Sequence, residues 1–176
     1  MLSVARLAPE KGLDTLVRAV GATGDPGVVV LLAGSGPERE RLRSLANDLG
    51  VRLVLLPDVP WERIVERYVL ADVFALLSRH EPWGVVVNEA AACGLPLVLS
   101  DRVGAAFDLL EDGRNGALVP AEDVAAAAAA LGRLAADPDW RRSAGEASRD
   151  LVRAWGYEPS IENLIRVVRR VAGRGA

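Results

Sequence analysis

Six short apolar runs divide the chain: 2–6 (LSVAR), 28–33 (VVVLLA), 52–56 (RLVLL), 73–77 (VFALL), 96–100 (PLVLS) and 117–119 (ALV). They hardly alternate in polarity, which is the pattern of parallel strands covered on both faces. Between them the apolar positions recur at helical spacing, predicting helices near 12–22, 37–49, 60–70, 84–93, 104–112 and 121–136, followed by 139–154 and 160–172. Pro37 suits the first turn of a helix and Gly50 its C-terminal cap. The alanine tract 123–130 (DVAAAAAA) is explained by helix propensity, with Pro120 and Asp123 as its start. Strand–helix alternation of this kind predicts an α/β fold: a Rossmann-like, doubly wound parallel sheet of about six strands with helices on both faces.

Composition narrows the picture. The 176 residues, 51% apolar and 26% charged, suit one compact domain over residues 1–176. A net charge of −3 with interspersed signs gives no electrostatic footprint for nucleic acid or an anionic membrane. One cysteine excludes a disulfide framework, and the single histidine, His80, has no second histidine to share a metal. No apolar stretch reaches the roughly 18 residues of a spanning helix. With no signal-like segment ahead of the first strand, a cytoplasmic location is the default expectation. The chain enters a strand pattern at its second residue, so an excised domain lacking an upstream partner is expected.

In open α/β sheets ligands bind beyond the carboxyl ends of the strands. After the first strand, Arg6 and Lys11 flank a turn leading into a helix, a phosphate-binding arrangement or equally a solvated charged turn. After the second, Gly34 and Gly36 follow a strand and precede a helix, as a phosphate loop would, which makes them candidate donor-binding residues. Arg39 stands where a dinucleotide fingerprint needs its third glycine, so tight turn geometry is the simpler reading. After the third, Pro57 and Pro60 make a rigid turn around Asp58 that could face a flat heterocycle or serve only as a connection.

The segment "EPWGVVVNEAAACGLP" (81–96) is the richest. Pro82 keeps Glu81 in a loop, Gly84 permits close backbone approach, and Glu89 falls in the second turn of the helix. Two carboxylates thus flank a helix N-terminus, which attracts anions, and a carboxylate can accept two sugar hydroxyls. Glu89 has apolar neighbours, and a buried carboxylate without a partner costs several kcal/mol. His80 suits hydrogen bonding better than catalysis, Cys93 reads as a structural thiol, and Trp83 is either a pocket edge or core.

Taken together these segments resemble the C-terminal, donor-binding domain of a family 4 retaining glycosyltransferase with the GT-B fold. "SVARLAPEKGLDTLVRAV" is similar to its Arg-x4-Lys segment. "LAGSGPERERLRSLANDLG" is similar to its Gly-x-Gly-Pro turn, and "RYVLADVFALLSRHEPWGVVVNEAAACGLPLVLSD" to its Glu-x7-Glu region. The resemblance implies that Arg6 and Lys11 clamp the donor diphosphate and that Glu81 contacts the transferred sugar. It implies that Glu89 binds the ribose, that backbone from Trp83 through Gly84 and Val85 to Val86 meets phosphate and sugar, and that Asp58 lies near the base. The implied substrate is a UDP-, GDP- or ADP-sugar, with no metal and no other cofactor. An N-terminal acceptor-binding domain is the implied partner, without which hexosyl transfer would stop. The alternative is a non-catalytic nucleotide-sugar-binding module working with a separate acceptor domain. Departures are Ala5 for glycine before Arg6, Pro57 for glycine after the third strand, and Asp108 for the glutamate after the fifth.

Overall fold

The computed structural model describes residues 1–57 and 59–172. Strands β1 (Leu2–Val4), β2 (Val29–Ala33), β3 (Arg52–Leu56), β4 (Phe74–Leu76), β5 (Leu97–Ser100) and β6 (Gly116–Val119) form one parallel sheet, ordered β3-β2-β1-β4-β5-β6. The expected six strands therefore hold. Their continuous apolar character resolves into two faces, because successive side chains on a strand point opposite ways. On β4 and β5, Ala75 and Val98 join one core layer, as does Leu77 just past β4, while Phe74, Leu76, Leu97 and Leu99 join the other.

The first layer is covered by α1 (Leu13–Thr23), α2 (Arg39–Asp48) and α6 (Val124–Ala136). Leu13, Leu16, Val17 and Val20 form the buried stripe of α1, and Ala127, Leu131 and Leu134 that of α6. Asp123 caps α6 by accepting the Ala126 N–H at 2.9 Å, as the sequence suggests. The second layer lies under α3 (Val65–Tyr68), α4 (Val85–Ala92) and α5 (Ala106–Leu109), with α7 (Pro138–Arg153) packed on α4. A last helix, α8 (Tyr157–Ala172), is amphipathic, yet Ile161, Leu164, Ile165, Val168 and Val171 are all exposed.

Two expected helices are much shorter than their pattern. The stretch near 60–70 is a 3-10 turn (Trp61–Arg63) followed by the single turn of α3. The stretch 104–112 is reduced to α5, because the Asn115 amide donates to the Leu109 carbonyl at 2.9 Å and ends the helix there. α2 starts at Arg39 with Glu38 before it, so Pro37 stands just outside the helix.

The sheet reverses its strand order between β1 and β4. Their register pairs Leu2 with Phe74 and goes no further, whereas β1 and β2 pair at three positions. The loops leaving β1 and β4 therefore diverge toward opposite sides of the sheet and leave a crevice between them, the usual place for a ligand in this architecture.

Candidate nucleotide-sugar site

The crevice is lined from both sides. After β1 the chain runs through Arg6 to a 3-10 turn (Pro9–Lys11) and into α1. After β4 it runs through Glu81 to the start of α4. Arg6, Glu10, Lys11, Glu81, Gly84, Val85 and Val86 surround one depression of about 370 Å³. A second depression of about 370 Å³ adjoins it, sharing Val4, Ala5, Arg6 and Val86 and continuing past Gly34, Ser35, Pro57, Val59, Ile64 and Arg67. The result is an elongated trough along the carboxyl rim of β2, β1 and β4.

Backbone pairing holds Glu81 in place. Its N–H donates to the Arg102 carbonyl at 3.0 Å and its carbonyl accepts from the Gly104 N–H at 2.9 Å, so the loop after β4 is tied to the loop after β5. Gly84 then turns the chain into α4 with φ 94°, in the left-handed region that a side chain would strain. No side chain caps α4, and Gly84, Val85 and Val86 at its start line the trough, where first-turn N–H groups of a helix can serve as donors for an anion.

The trough's charges are already matched. Lys11 Nζ lies 2.5 Å from Glu81 Oε2, and both side chains are largely buried at 20% and 15% exposure. Arg6, far more open, pairs with Glu10. Two cations and two carboxylates cancel, so an incoming diphosphate would gain little from net charge. It would have to exchange partners with these groups, and the exposed Arg6–Glu10 pair is the easier one to open.

Glu89 lies one turn beyond Val86 on α4, whose residues Val87, Ala90 and Ala91 face the core. Its carboxylate is not left unpartnered among apolar neighbours: the Tyr68 hydroxyl donates to Glu89 Oε2 at 2.5 Å. Burial and the Glu89 carboxylate together push the Tyr68 phenol far above its ordinary value, which keeps it a donor. Glu89 also borders a separate groove of about 900 Å³ with Trp83, Asn88, Val152 and Trp155. Arg6, Lys11 and Glu81 thus share one depression, while Glu89 lines this separate groove and neither part of the trough. Trp83 belongs to the groove, tilted against Trp155 with ring centroids 5.0 Å apart and donating to Asn88 Oδ1 at 3.0 Å.

The other singled-out residues divide. Gly34 lines the trough, and a Cβ on it would lie 2.1 Å from the Ala5 carbonyl oxygen; one on Gly36 would lie 2.3 Å from that of Leu7. Both glycines are needed for the close approach of the two loops, the geometric reading of that turn. Asp58 lies outside the described residues. His80 is exposed beside Glu81. Cys93 is only half-buried, and burial with Glu89 nearby raises its thiol, which disfavours the reactive thiolate.

Sequence reasoning passed over Arg79. It donates through Nε to Glu122 at 2.8 Å, through Nη2 to both Asp14 oxygens at 2.9 and 3.0 Å, and through Nη1 to the Pro9 carbonyl. Its backbone N–H donates to the Glu10 carbonyl at 2.8 Å. One residue next to His80 and Glu81 therefore braces the turn that carries Lys11. A charged residue at a strand's carboxyl end was the available signal, but its partners lie too far along the chain to be read. Among the described residues, no group of three His, Cys, Asp or Glu is placed to hold a metal ion, and no helix is long and apolar enough to cross a membrane.

A parallel sheet of this strand order, with a polar trough at its switch point, defines a Rossmann-like domain of the kind found in GT-B glycosyltransferases. The chain belongs to the glycosyl transferases group 1 family, whose sequence profile matches residues 1–151. It is 36% identical over 160 residues to a GDP-mannose-dependent alpha-(1-6)-phosphatidylinositol monomannoside mannosyltransferase of Mycolicibacterium smegmatis, covering 85% of this chain and 42% of that protein. It superposes on sucrose-phosphate synthase of Thermosynechococcus elongatus with a TM-score of 0.83 and 29% identity, covering 98% of this chain and 46% of that one. The pneumococcal O-GlcNAc transferase in complex with UDP and GlcNAc gives a TM-score of 0.81 and 26% identity, covering 97% and 35%. The chain thus spans less than half the length of these relatives.

Proposed function

We propose that the trough holds a nucleotide-diphosphate-sugar and that this chain is the donor half of a retaining glycosyltransferase. One observation carries the reading: Arg6, Lys11, Glu81 and the uncapped start of α4 meet in a single depression at the β1/β4 switch point. The relatives support it, since one is named for GDP-mannose and another was solved with UDP.

In this reading the diphosphate lies against Arg6, Lys11 and the Gly84–Val86 backbone, where positive groups oppose the charge that builds as the sugar leaves its phosphate. Glu81 faces the transferred sugar and Glu89 the ribose, while the base extends past Gly34 toward Pro57. Such chemistry needs positioning and electrostatics more than a protein nucleophile. Once Arg6 and Lys11 exchange Glu10 and Glu81 for the diphosphate they answer its charge, and in this reading donor binding proceeds without a divalent ion. The acceptor binds on a part of the enzyme beyond this chain, and the exposed apolar face of α8 is consistent with a further segment packing there. Alone, the chain binds donor without transferring it.

Calorimetry with UDP, GDP and ADP tests this. One of them binds in buffer containing EDTA, and Lys11→Ala weakens it by roughly 10–100-fold, the loss of one charge-assisted contact. His80→Ala changes it little, because that side chain is exposed and no hydrogen bond or ion pair involving it was found among the described residues. Equal losses in the two variants, or no binding in the parent, would count against the assignment.

A further inference from the structure

The trough carries a third cation, away from Lys11. Among the described residues, Arg6 and Arg67 are the only charged side chains lining the depression that continues past Gly34 and Pro57, and its other walls are mostly apolar. Arg6 also lines the depression that holds Lys11 and Glu81, whereas Arg67 does not. The two guanidinium groups therefore serve different stretches of the trough. No carboxylate lines the Arg67 stretch among the described residues.

The fold presents Arg67 there for a local reason. Ile64 and Arg67 are three positions apart on the turn of α3 and share the face that lines the depression. The next residue, Tyr68, is fully buried and fixes that turn to the core. Arg67 Nη2 donates to the Pro57 carbonyl at 3.0 Å. Its Nε is buried and has no hydrogen-bond partner among the described residues. Glu66, its neighbour in the chain, spends both oxygens on Arg63 at 2.7 and 2.9 Å. A buried N–H without a partner costs free energy, and a ligand that draws the guanidinium toward an acceptor recovers it.

A guanidinium only donates. A slot with apolar walls and a donor-only head suits a flat ring with a carbonyl oxygen on its edge. Guanine offers O6 beside N7, and uracil offers O4; adenine and cytosine carry an amino group at the matching position, whose N–H would face those of Arg67. We propose that Arg67 is a specificity-determining residue, hydrogen-bonding the base carbonyl and selecting guanine or uracil nucleotides over adenine or cytosine ones. This rests on the nucleotide-sugar reading above and deepens it, because it removes ADP-sugars from the candidate donors. A bond that merely braces the turn at Pro57 would matter equally for every nucleotide, whereas a base-reading bond separates the two classes.

Calorimetry on this chain with two matched pairs, IDP against ADP and UDP against CDP, tests it. Within each pair the bases differ only in the carbonyl or amino group and the ring nitrogen beside it. In the pair that binds more tightly, the carbonyl-bearing member is preferred by about tenfold or more, the worth of a hydrogen bond from a charged donor. Arg67→Met keeps an apolar stem on α3 and removes the donors. It weakens the carbonyl-bearing nucleotide by roughly tenfold and leaves the amino-bearing one within about twofold, so the preference disappears. Equal affinities within each pair, a preference for the amino bases, or equal weakening of both members by Arg67→Met overturns the base-reading role and leaves the donor reading intact. A parent that binds no nucleoside diphosphate, or whose affinity ignores Lys11→Ala, overturns the donor reading and this inference with it. Should Arg67→Met fail to fold, Arg67→Gln decides, because its amide oxygen accepts from an amino base. The preference narrows or reverses in that variant; an undiminished carbonyl preference there overturns the proposal.

Discussion

Lys11 and Glu81 are 70 positions apart and come within 2.5 Å of one another. Their pairing changes what Glu81 is expected to do. As long as Glu81 neutralises Lys11, the cation is only partly available to a phosphate. Glu81→Gln therefore has opposite effects on two ligands. A free nucleoside diphosphate binds about 2–5-fold more tightly, since a partly exposed ion pair is worth on the order of 1 kcal/mol and Lys11 is released from it. The intact nucleotide-sugar loses its charged hydroxyl acceptor and gains less or weakens. Calorimetry with both ligands reads the difference, and parallel changes in the two would remove Glu81 from the sugar. The pairing itself was invisible along the chain, because nothing in the local spacing of either residue points to the other.

At the scale of elements, buried stripes separate the helices that build the fold from the one that does not. α1 sets Leu13, Leu16, Val17 and Val20 into the core, and its neighbour α6 buries Leu131 and Leu134. α8 has an equally clear apolar stripe, but Ile161, Leu164, Ile165 and Val168 meet solvent. Helices draw most of their stability from such packing, and protection from exchange follows it. Hydrogen exchange read by mass spectrometry on this chain will find α8 amides exchanging orders of magnitude faster than those of α1; comparable protection in both would mean that the stripe is covered. The pattern read from sequence was right for both helices, since periodicity reports an apolar face and not what covers it. For α3 and α5 the pattern overstated length: the loop after β5 must return to pair with Glu81, and Asn115 ends α5 at Leu109.

For the molecule as a whole, the order of strands brings the site together. The sheet places β1 beside β4, and Arg79 braces the junction by joining the turn before α1 to the end of β4 and to Glu122 before α6. Arg79→Ala removes this brace. Because the guanidinium is partly open to water, the loss in unfolding free energy is about 1–2 kcal/mol rather than that of a fully buried ion pair. Nucleotide affinity falls as well, because Lys11 sits on the turn that Arg79 holds. Urea unfolding together with calorimetry tests both effects; a variant with parental stability and parental affinity would show that the turn holds itself.

The sequence by itself determined the two-sided sheet, because parallel strands covered on both faces are nearly continuous in apolar character, and it determined where its helices alternate. It also singled out Arg6, Lys11, Glu81 and the start of α4, since they follow the carboxyl ends of strands, where ligands of open α/β sheets bind. Only the tertiary structure decided that Lys11 answers Glu81, that Tyr68 answers Glu89, that Arg79 ties the loops together, and that Trp83 turns to a different opening. Those pairings depend on which strands become neighbours, and strand order arises from packing between distant segments that no local pattern encodes.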